Sequence, residues 1–140
     1  MMRSLQGGRR SLRASAAALA LNLFLGGCGS STPTSPSETV LLNASLNFVA
    51  GVTCVTGGVS VDFAGTAGKS VTITATGAST LTPRFTLYAP DFTTQLGGSA
   101  ASGAGSASLT FTLIQTGTHH VSACELNGVA GAFTLKVTQR

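Results

Sequence analysis

The chain is poor in the residues from which catalytic sites are built. It has four acidic residues in 140, Glu38, Asp62, Asp91 and Glu125, scattered along its length. Paired-carboxylate chemistry needs two such groups flanking one reacting bond, and this supply leaves little room for it. Serines abound, but no G-x-S-x-G elbow occurs, and no base and acid accompany a serine as nucleophilic catalysis requires. There are only two histidines, His119 and His120, and they are adjacent. Neighbouring strand residues point to opposite faces, so the two rings cannot easily bite one metal. The alternation places His119 against a core and His120 on the surface. No window has a helical period, and the longest apolar run, Ala14 to Leu25, is twelve residues, short of the roughly 20 that a membrane span needs. These shortages argue against an enzyme and call for no cofactor.

That short apolar run is nevertheless the first informative feature. Arg3, Arg9, Arg10 and Arg13 precede it, and Leu25-Gly26-Gly27-Cys28 closes it. A basic segment, a short apolar core and small residues before a cut form an export signal. The last four residues resemble the lipobox of bacterial lipoproteins. That resemblance implies cleavage before Cys28, a diacylglyceryl group on its thiol, and attachment to membrane lipid. Gly29 after the cysteine resembles lipoproteins sorted to an outer membrane. Residues 1–27 are therefore expected to be removed. The four arginines among them are half of the eight basic residues, so four bases face four acids from Cys28 onward. With no net charge there, nucleic-acid binding loses its electrostatic footprint.

Two further cysteines, Cys54 and Cys124, remain after Cys28. An even pair in an oxidising compartment reads first as a disulfide. A zinc site of Cys54, Cys124 and His120 would need both thiols reduced, against the expected compartment.

Residues 28–39 form a Ser/Thr/Pro-rich tether, too polar to bury anything. Extended at ~3.1 Å per residue, it can hold a domain roughly 35 Å from a membrane. From Val40 the composition turns to Val, Thr, Leu, Phe and Gly and stays so to Arg140. Val59-Ser60-Val61-Asp62-Phe63 alternates, as do Val71 to Thr76, Phe85 to Leu87, Ser108 to Leu113, His119 to Ala123 and Phe133 to Thr138. Val40 to Val49 reads as a first strand, and Gly97 to Ala107, nearly all small residues, as a flexible loop. The pattern predicts an all-β sandwich, jelly-roll-like, of about seven or eight strands.

These strands resemble the bacterial pre-peptidase C-terminal domain. The resemblance rests on Ala67-Gly68-Lys69-Ser70-Val71-Thr72-Ile73, on Leu87-Tyr88-Ala89-Pro90-Asp91, on Leu109 to Val121, and on Gly131-Ala132-Phe133-Thr134-Leu135-Lys136-Val137. It implies a non-catalytic accessory of the kind found beside secreted hydrolases. Two departures from the family pattern stand out. Phe92 follows the proline–acid pair where the family often has glycine, and His119-His120 replaces a preferred pair of tyrosines. Tyr88, Phe92 and His120 are the candidate binding surface, for a protein or glycan ligand. Gly68-Lys69-Ser70 looks like the end of a phosphate-binding loop, but Phe63 stands at the position of its first glycine and a strand follows where a helix is needed.

Overall fold

A computed structural model describes residues 37–102 and 105–140; the signal, Cys28 and most of the tether lie outside the described residues. Among the described residues there are eight strands: β1 Thr39–Phe48, β2 Val59–Gly65, β3 Ser70–Gly77, β4 Pro83–Tyr88, β5 Gln95–Ala100, β6 Ser106–Thr112, β7 Gly117–Glu125 and β8 Gly131–Gln139. One sheet has the order β1-β8-β3-β6 and the other β2-β7-β4-β5. Every pairing is antiparallel. The chain changes sheet at each connection except the β4–β5 hairpin. This is the order of an eight-stranded jelly roll.

The alternation read from the sequence sets the two inner faces. Val71, Ile73 and Ala75 of β3 meet Leu135 and Val137 of β8, and Phe85, Leu87, Val121 and Ala123 come from the other sheet; all are fully buried. Phe48 stacks on Phe133 with ring centroids 4.8 Å apart. Threonines on the outward positions keep β propensity without adding apolar surface. Thr72 and Thr110, paired across β3 and β6, even share a hydroxyl hydrogen bond of 3.1 Å.

The glycine-rich stretch departs from expectation. Gln95–Ala100 is a strand, and β6 already begins at Ser106. Small size is what admits the strand. A Cβ on Gly97 would lie 3.1 Å from the Leu109 side chain, and one on Gly98 would lie 2.8 Å from the Phe85 carbonyl. At Gly97 and Gly98 the small residues serve close approach between strands. The first strand also takes in Thr39, the last residue assigned to the tether.

The sandwich has two distinct ends. At the entry end, Thr39 pairs with Gln139, Ser70 and Arg140 exchange backbone hydrogen bonds, and Lys69 is bonded to Leu113. Loops 66–69, 89–94 and 113–116 lie there. Loops 49–58, 78–82 and 126–130 make the far end.

Candidate functional site

The outer face of the β2-β7-β4-β5 sheet carries the residues singled out in the sequence. Register sets Asp62 beside His120 and His120 beside Tyr88, with Gln95 next in the row. The His120 Nδ1 lies 2.7 Å from the Asp62 carboxylate and donates to it.

His120 faces outward as its parity requires, but it is not on the surface. Only 4% of it is exposed. The Phe92 ring covers it, stacked with centroids 3.2 Å apart and planes 19° from parallel. Strand alternation says which face a side chain joins; it is silent on what a distant loop lays over that face. Phe92 itself is 59% exposed, and Tyr88 is half-buried. The expected aromatic patch is thus one open ring resting on a sheltered histidine.

The backbone that presents this ring is unusual. Phe92 is the only non-glycine residue with positive φ among the described residues, at 62°. It stands where the family resemblance expects glycine, and it keeps a glycine's conformation. Asp91 fixes the turn: its carboxylate accepts from the Thr94 hydroxyl at 2.6 Å and from the backbone N–H groups of Thr93 and Thr94 at 2.9 and 2.8 Å. The Thr94 hydroxyl first, then these N–H groups, hold the Asp91 carboxyl down to about 2. The two departures from the family pattern, Phe92 and His120, are therefore in direct contact.

Beside this row a shallow groove of about 310 Å³ runs over β4 and β5, lined by Arg84, Thr86, Gln95, Gly98, Ser99 and Ala100. Asp62, Arg84 and Gln95 were not singled out in the sequence. The signal that could have found Asp62 and Arg84 is strand parity, which places both on the outer face with His120; Gln95 joins the row only through the register shift of β5 against β4 between Leu87 and Tyr88.

His119 lies in the core as expected, stacked near Phe63 at 5.5 Å. Its Nδ1 donates to the Gly117 carbonyl at 3.1 Å, and its buried Nε2 has no partner. Cys54 and Cys124 form a disulfide, with Cα atoms 5.0 Å apart. Both thiols are consumed, so the zinc reading falls.

Glu125 was seen in the sequence only as one scattered acid. It is fully buried, and its carboxylate accepts from the backbone N–H groups of Thr82, Asn127 and Val129 at 3.0, 2.7 and 2.8 Å. Burial pushes the carboxyl up, but these N–H groups together outweigh it and hold Glu125 below the usual carboxylate range. Its work is structural, tying loops 78–82 and 126–130 to β7.

No family model matches the sequence, and no curated protein does. Solved structures do resemble it in fold. The pre-peptidase C-terminal domain of a collagenase from Bacillus anthracis superposes with a TM-score of 0.57 at 12% identity, covering 70% of this chain and 89% of that one. A periplasmic inhibitor of g-type lysozyme from Aeromonas hydrophila superposes with a TM-score of 0.51 at 16% identity, covering 74% and 86%. At these identities what is shared is the fold, and it is the fold that the strand pattern pointed to.

Proposed function

We propose that the chain is an exported lipoprotein, held to membrane lipid through an acylated Cys28, whose β-sandwich is a non-catalytic binding or adhesion module. In a cell with an outer membrane, that membrane is its site. One observation carries the binding reading: the Phe92 ring, exposed on one side and fixed on the other. A non-glycine residue at positive φ stores roughly 1–3 kcal/mol of strain, and the Asp91 turn and the His120 stack hold it there. An aromatic ring kept open to solvent in one pose suits stacking against a sugar ring or an apolar side chain. The neighbouring Arg84, Thr86 and Gln95 supply hydrogen bonds. The two fold neighbours, a domain appended to a collagenase and a periplasmic inhibitor, support an exported sandwich that acts without chemistry of its own. A structural accessory that stabilises an envelope or secreted-enzyme complex is the second reading, supported by the appended domain.

Two experiments test this. Cys28→Ser should release the protein from membranes or leave it unprocessed; unchanged fractionation and intact mass would overturn the anchor. Retention of envelope proteins or glycans on the immobilised domain should fall with Phe92→Ala. Equal retention by folded Phe92→Ala and Tyr88→Ala variants would remove this face from the binding reading.

A further inference from the structure

The face that carries Phe92 is not uniform, and its layout narrows the ligand; this step rests on the proposal that the face binds. Strand register arranges its side chains in rows. Asp62, His120 and Tyr88 form one row, with the Phe92 ring over His120. Ser122 and Thr86 are paired in the next row, and Arg84 stands in the third. The surface is therefore continuous from the open ring, across two hydroxyls, to a guanidinium.

The apolar content of the face argues against a protein ligand. Phe92 is its only exposed large apolar side chain among the described residues, since Val59 of β2 shares the inward parity of Phe63. Protein partners bury an apolar core of several residues within a patch of ~800 Å², and one ring beside hydroxyls does not supply that. A sugar ring matches it better, with an apolar face to stack and a rim of hydroxyls to pair with Ser122 and Thr86.

Charge adds a direction. Arg84 is exposed, is the only charged residue lining the groove over β4 and β5, and has no acidic partner among the described residues. Asp62 lies at the Phe92 end, 54% exposed and bonded to His120 through Oδ1. It repels a carboxylate there and keeps its other oxygen for a hydroxyl donor. Negative charge is thus disfavoured beside the ring and favoured at Arg84. Tyr88, opposite His120, and Arg84 are the two ends of a stretch of β4, about 13 Å apart at ~3.4 Å per residue. A single sugar ring does not span that.

We infer that the ligand of this face is a carboxylated oligosaccharide, with one sugar stacked on Phe92 and the carboxylate of a later unit on Arg84. Guanidinium and carboxylate match in a two-bond fork, so the acidic unit fixes the direction in which the chain lies.

The test titrates the full-length protein in detergent with oligomers of galacturonate, alginate and hyaluronan. Each is compared with its carboxyl-reduced counterpart of the same length and with its acidic monosaccharide. At least one acidic oligomer is expected to bind, and its reduced form and its monosaccharide at least about tenfold more weakly, the effect of losing one charge-assisted hydrogen bond. Arg84→Gln should erase the difference between acidic and reduced forms. Phe92→Ala should weaken both, while Phe92→Tyr, which keeps a ring, should retain binding and so separates a lost contact from a folding defect. Equal binding of acidic and reduced oligomers, an acidic preference that survives Arg84→Gln, a monosaccharide bound as tightly as its oligomer, or no binding to any of the set would each overturn the inference. Phe92-dependent retention of an envelope protein, with no glycan bound, would leave the binding module standing and sink the glycan assignment alone. Glycan binding untouched by Phe92→Ala would remove this face from both.

Discussion

Replacing Phe92 by alanine and by glycine separates two energies that the wild-type residue combines. About two-fifths of the side chain is covered, since 59% is exposed. For a ring of roughly 200 Å² that is about 80 Å², or about 2 kcal/mol at ~25 cal/mol per Å². The stack on His120 adds ~0.5–1.5 kcal/mol. Either substitution forfeits this sum, about 2.5–3.5 kcal/mol. The backbone then distinguishes them. Alanine at φ 62° retains the left-handed penalty of ~1–2 kcal/mol. Glycine escapes it and gives back ~0.4–1 kcal/mol through the greater freedom of its unfolded chain. Glycine should therefore be the milder replacement by ~0.5–1 kcal/mol, the reverse of its usual standing against alanine. Urea unfolding of the disulfide-intact domain at fixed pH reads both differences. If the alanine variant is as stable as the glycine variant, the strain argument is wrong. A loss below about 0.5 kcal/mol for both, the range of an ordinary surface change, would mean that the ring is not coupled to His120.

Other expectations follow from the far end and the turns. Glu125→Ala strands three backbone N–H groups, each worth ~1–3 kcal/mol when buried and unpaired, so urea unfolding should show a loss of at least about 3 kcal/mol. The pH dependence has a definite sign: the folded-state value of Glu125 is depressed, so its stabilisation is present above the unfolded carboxylate range and disappears as pH falls through the folded value. Thermal melts from pH 6 downward should show this acid limb, and Glu125→Gln should flatten it. Asp91 behaves alike, its share fading between its ordinary 3.8 and about 2, and Asp91→Asn should remove that portion. Material purified without reductant should show no free thiol at Cys54 or Cys124. Replacing both by alanine opens a loop of sequence separation 70, with a loss of roughly 4 kcal/mol on the chain-entropy account.

Much of the fold was legible because period-two alternation is a direct record of a half-buried sheet. The inward faces of β2, β3, β4, β7 and β8 could be read residue by residue, and the disulfide followed from compartment and parity of count. Three features escaped for separate reasons. β5 was hidden because glycine and alanine mark both flexible loops and places where chains come very close, and only the facing Leu109 and Phe85 tell them apart. The burial of His120 escaped because its cover is a loop contact remote in sequence. Glu125 was more readable than it looked: it continues the inward series His119, Val121, Ala123, and an acid at such a position implies dedicated hydrogen-bond donors.

The meeting of Thr39 with Gln139 bears on how such a domain is inherited. Because the sandwich begins and finishes on neighbouring strands at one end, it is a cassette with a single seam. A host chain can take it up at a surface loop, or carry it on either flank, with no strand displaced. Joining the two strand ends and opening the backbone at an exposed loop tip would be expected to give a permuted chain with the same sheets.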